Sequence, residues 1–138
     1  MLRRFCAAYA AGALAALVAS LVLWIAGRAE LTAAVGVAIA PKLTWLWLAP
    51  RLVWGGLWAL PYPWVRPRRL SAVQKGLLLS LAPSAAQLFW FMPEQNLGVL
   101  GQDLGTFTPA VVVLANATWG WVLARTFSRV GGGGGGGD

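Results

Sequence analysis

The chain has 138 residues, 59% of them hydrophobic and 11% charged, with a net charge of +7. That balance is far from the soluble norm of about 25% charged residues and points to one membrane-embedded domain. The cations stand at the ends of apolar runs instead of along a polar face, which argues against a nucleic-acid surface. There is no histidine and one cysteine, Cys6, so an intrachain disulfide is excluded and the usual metal ligand and general base are missing. No metal, cofactor or enzymatic activity is expected.

Arg3 and Arg4 precede an apolar run over about 5–27, which is long enough to span a bilayer. Its length exceeds the apolar core of roughly 7–15 residues of a cleavable signal, so a retained helix is expected. Ala8, Gly12, Ala16 and Ser20 recur at i+4 as a stripe of small side chains suited to close helix packing. Ala11, Ala15 and Ala19 form a second such stripe. Cys6, near the basic end, is read as an inert thiol.

The second apolar stretch, about 31–60, carries Pro41, Lys42, Pro50 and Arg51. It reads as one long, tilted helix kinked at its prolines, because each lacks the N–H that its i−4 carbonyl needs. The competing arrangement lays 31–40 in the outer interface and begins the span at Leu43. Either way Arg51 falls near the midplane, where a charge costs at least about 2.5–3.5 kcal/mol and normally finds partners in a bundle or wet cavity. Trp47, Trp54 and Trp58 stand at −4, +3 and +7 from Arg51, which predicts a cation–π face.

Pro61, Pro63 and Pro67 end that stretch, and Arg66, Arg68, Arg69 and Lys75 form a basic anchor suited to anionic lipid at the cytoplasmic face. Ser71 followed by Gln74 fits a capping box, opening a third span over about 72–92. Gly76, Ser80 and Ser84 make its small-residue face, continued by Gln87, with Pro83 near its middle. Residues 93–108 turn polar and glycine-rich and read as an outer loop bearing Glu94 and Asp103. Thr108 as N-cap and Pro109 open the fourth span, about 109–127. Residues 1–130 are thus expected to form one four-helix transmembrane domain, followed by a flexible glycine-rich tail over 131–138.

In that four-span topology Arg3, Arg4, Arg66, Arg68, Arg69, Lys75, Arg125 and Arg129 fall on the side of both termini, eight of the 11 cations. The positive-inside rule then makes both termini cytoplasmic in a bacterial inner membrane. Trp24, Trp45, Trp47 and Trp90 would mark an outer aromatic belt, and Trp58, Trp64, Trp119 and Trp121 an inner one. Arg51, Ser84, Gln87 and Asn116 form a midplane polar layer that contains no acid.

Two functions fit this layer. One is a structural or accessory subunit that docks to other membrane proteins or to itself, with Arg51 meeting a partner's acid. The other is a homo-oligomeric channel or carrier for an anionic or polar solute, lined by Arg51, Gln87 and Asn116.

Overall fold

The computed structural model describes residues 1–65 and 69–131, so Arg66 and Arg68 of the basic anchor and all of the tail beyond Gly131 lie outside the described residues. Every regular element among the described residues is helical. Helix α1 (Leu2–Arg28) is built from alanine and leucine with no internal proline. Arg28 in its last turn lies over the Trp24 ring and complements the helix dipole.

The stretch read as one long helix is broken. Helix α2 (Leu31–Ala34) is a single turn, and ten residues separate it from helix α3 (Trp45–Ala59). Between them Gly36 takes a left-handed φ of 73° and Pro41 disfavours helix at the residue before it. The extended chain finds its hydrogen bonds elsewhere. Thr32 donates its hydroxyl to the Ile39 carbonyl at 2.7 Å, and the Ala38 N–H reaches the Leu104 carbonyl at 2.7 Å. A single continuous helix over 31–60 is therefore not formed. Thr44 caps α3 by accepting the Trp47 N–H, and the helix continues through Pro50.

A 3-10 turn (Tyr62–Trp64) follows α3. Helix α4 (Ala72–Ala86) opens with the capping box expected of Ser71 and Gln74: Gln74 N–H to Ser71 Oγ is 3.2 Å, and Ser71 N–H to Gln74 Oε1 is 2.8 Å. It runs on through a π-helical turn (Gln87–Phe91) into α5 (Met92–Glu94), so 72–94 forms one rod. A 3-10 segment (Val99–Leu104) leads to helix α6 (Thr108–Gly131), which ends later than expected. Thr108 does not cap it through its side chain, because its buried Oγ1 has no hydrogen-bond partner. Three rods, Leu2–Arg28, Ala72–Glu94 and Thr108–Val130, are long and apolar enough to cross a membrane. At 15 residues, α3 is shorter.

Helix α1 is central. It packs on α3 and on α6, and α6 packs on α4, whereas α3 and α4 touch only lightly. Close approach depends on the absent side chains of glycine. A methyl on Gly12 would overlap Ala59 and the Gly55 carbonyl, and a methyl on Gly76 would overlap the Gly120 carbonyl. Ala8, Gly12, Ala16 and Ser20 are buried, and so are Ala11, Ala15 and Ala19, because α1 has a neighbour on two sides. Gly76 and Ser80 are likewise buried on α4.

The pairs Gly12 with Gly55, Ser20 with Arg51, and Gly76 with Gly120 make successive rods antiparallel. Phe5 packs edge-on with Trp64, and Tyr62 with Phe127, at one end of the bundle. The starts of α1 and α4 and the finish of α6 therefore share that end, and Arg3, Arg4, Arg69, Lys75, Arg125 and Arg129 lie there. At the other end a smaller core of Leu88, Met92 and Val112 is covered by Leu97, Leu100 and Leu104.

Candidate functional site

Around Arg51 the three rods and α3 line a partly open cavity of about 360 Å³. Helix α1 contributes Ala16, Ala19 and Ser20, and α6 contributes Ala115, Asn116 and Trp119. Arg51 and Trp54 enter from α3 and Gln87 from the π turn, while Gln95 and Leu97 reach it from the loop after α5. A π turn adds a residue to the helical repeat and re-aims the side chains that follow, a device common at functional positions. Here it begins at Gln87.

Arg51 donates its Nε–H to the Ser20 hydroxyl at 2.9 Å, and its guanidinium carbon lies 4.8 Å from the centre of the Trp47 ring. Helical side chains lean toward the N-terminus, so a long arginine on α3 reaches back to Trp47 one turn earlier. The expected three-indole face reduces to that one stacked ring. Trp54 and Trp58 line the cavity, tilted 32° to each other, and Trp54 meets Phe91 edge-on at 5.7 Å.

A hydrogen bond to a charged group contributes about 1.5–3 kcal/mol and a cation–π contact about 0.5–2 kcal/mol. Together these offset an insertion cost of about 2.5–3.5 kcal/mol. They do not neutralise the charge. A guanidinium has five N–H donors, of which Ser20 takes one, and among the described residues no Asp or Glu lines the cavity.

Of the expected polar layer, Arg51, Gln87 and Asn116 come together on the cavity wall. Asn116 donates to Gln87 Oε1 over a long 3.4 Å. Ser84 does not join them: buried, it donates its hydroxyl to the Ser80 carbonyl at 2.8 Å, as a serine inside a helix commonly does. Arg51 stands one residue from the middle of α3, and its partner Ser20 lies five residues past the middle of α1, about 7.5 Å toward its C-terminal end at 1.5 Å per residue.

Ser20, expected only as a packing residue, is the partner of Arg51 and the only Ser or Thr on α1. Gln95, expected only as part of a loop, reaches the cavity as well. Trp119, assigned to an inner belt, is instead 3% exposed and donates its indole N–H to the Gly12 carbonyl at 3.0 Å. Of the basic anchor's described members, Arg69 is exposed and Lys75 half-buried, remote in the fold from this cavity. No three His, Cys, Asp or Glu side chains among the described residues gather as a metal site. No family model, curated protein or solved structure matches the chain.

Proposed function

We propose that this chain is a four-span bacterial inner-membrane protein that binds an anionic group in the Arg51 cavity. One observation carries the reading: a guanidinium inside the bundle with, among the described residues, a single side-chain hydrogen bond and no acid lining the cavity it faces. Such a site attracts anions, and its neutral amides and hydroxyl add orientation without opposing charge. The proposed role is binding or passage of the anion, for which the described lining supplies a guanidinium, two amides and a hydroxyl.

In this reading α3 is the fourth span, shortened because the extended segment before it stays at the outer end. Pro50, which has no N–H, loosens α3 beside Arg51. The cations at the end shared by Arg3, Lys75 and Arg129 support cytoplasmic termini.

A second reading, a subunit docking to another membrane protein or to a second copy, is favoured by the loose contact between α3 and α4. A partner's acid entering there would pair with Arg51. The small-residue stripes support it less, because they are consumed inside the fold.

The test is gentle purification of wild type and Arg51→Gln from the native membrane, with mass spectrometry of everything that accompanies each. Loss of a lipid or small anion in the variant supports the binding reading, and loss of a protein supports docking. Identical companions would contradict both.

A further inference from the structure

We propose that the occupant of the Arg51 cavity is an anionic membrane lipid, with its headgroup phosphate on the guanidinium and an acyl chain leaving between α3 and α4. The inference rests on the anion-binding reading above and names the class of ligand.

The cavity is amphipathic. Arg51, Ser20, Gln87 and Asn116 supply its polar part, while Trp54, Trp58, Phe91 and Met92 supply a wall of carbon. Pro50 and Pro83 also face it, and neither has an N–H to offer. A bare inorganic anion would use the polar part alone. It would leave aromatic surface against trapped water or void, which forfeits both hydrophobic and dispersion contacts. A headgroup joined to a hydrocarbon chain covers both parts.

The packing supplies a route as well. Helices α1 and α3, α1 and α6, and α4 and α6 are closely packed, and the seam between α3 and α4 is not. Across that seam Trp54 and Phe91 meet in an edge-on pair, and both rings line the cavity. Gln95 and Leu97 line the cavity from the loop after α5, and the loosely packed seam between α3 and α4 is the lateral route assigned to the lipid. With the middle of α1 at the midplane of a hydrocarbon core about 30 Å thick, the Ser20 level is about 8 Å inside its boundary. A hydrated free ion would have to shed its water to arrive there. An amphiphile brings the tail that favours this depth, and Arg51 holds its charge.

The test uses the full chain, stripped of lipid in detergent and titrated in native mass spectrometry with phosphatidylglycerol, phosphatidylcholine and, separately, glycerol phosphate. Phosphatidylglycerol is expected to bind more tightly than either of the others. Arg51→Gln should weaken it by about ten- to a hundredfold, the equivalent of one charge-assisted hydrogen bond. Lys42→Gln, an exposed cation that does not line the cavity, should leave it close to wild type. Ala115→Leu, which fills the cavity without changing charge, should also lose the lipid, and it provides a readout should Arg51→Gln not fold.

Glycerol phosphate binding as tightly as the lipid, and lost in Arg51→Gln, would overturn the lipid proposal while sparing the anion site. Equal affinity for phosphatidylcholine would also overturn it. Phosphatidylglycerol binding that Arg51→Gln and Ala115→Leu both leave unchanged would overturn the lipid proposal and the anion-binding reading together.

Discussion

Arg51 on α3 and Ser20 on α1 are joined by a 2.9 Å hydrogen bond, the only one that the guanidinium makes to a side chain among the described residues. The pair fixes the depth at which α3 lies along α1. Arg51 lines the cavity from that position.

If that bond holds the two helices in register, Ser20→Ala and Arg51→Gln are energetically coupled. A double-mutant cycle, read by denaturant unfolding in mixed micelles, should give a coupling of about 0.6–1.7 kcal/mol, the range found for side-chain hydrogen bonds between membrane helices. Additive effects would mean that the two side chains act independently.

Glycine at the helix crossings gives a second expectation. Gly12→Val drives a branched side chain into Ala59 and the Gly55 carbonyl, and Gly76→Val does the same at Gly120. Each crossing is backbone against backbone, so no flexible side chain can yield. Destabilisation of about 1–3 kcal/mol or more is expected in the same unfolding assay. Wild-type stability in both variants would show that the helices cross elsewhere.

How far these relationships could be read from sequence depends on whether their cause is local. Ser71 and Gln74 cap α4 through bonds that span three residues, and the pattern announces itself. Small side chains at i+4 on α1 mark a packing face without saying which helix it meets. The break at Gly36 is different, because the extended chain is satisfied by Leu104, far away in sequence, while the local pattern stays apolar and helix-like. The same holds for Trp119, whose indole would suit an interface as well as a core until the Gly12 carbonyl is known to be its acceptor. In the site, Arg51 stood out because a charge in an apolar run is costly wherever it points. Ser20 and Gln95 did not, since a lone hydroxyl and a loop amide acquire meaning only through what the fold sets beside them.

Tyr62 gives a pH dependence at the basic end of the bundle. Its hydroxyl donates to the Ala72 carbonyl at 3.0 Å, tying the turn after α3 to the start of α4. Burial pushes its phenol above the ordinary value of 10.0. The folded state therefore holds the proton more tightly than the unfolded chain, so the contribution is intact below about pH 10 and is lost as pH rises through the folded value. Ultraviolet titration should show a late phenolate component that vanishes in Tyr62→Phe. Stability of that variant should fall less above pH 10 than that of wild type, and parallel curves would contradict the assignment.

The most direct measurement is a high-resolution density map of the protein in discs of its native membrane. The expected map shows non-protein density within hydrogen-bonding distance of the Arg51 guanidinium, inside the cavity bounded by Ser20, Gln87 and Asn116. A cavity holding only water, or one closed by Glu94 or Asp103 reaching in to pair with Arg51, would contradict an anion-binding site.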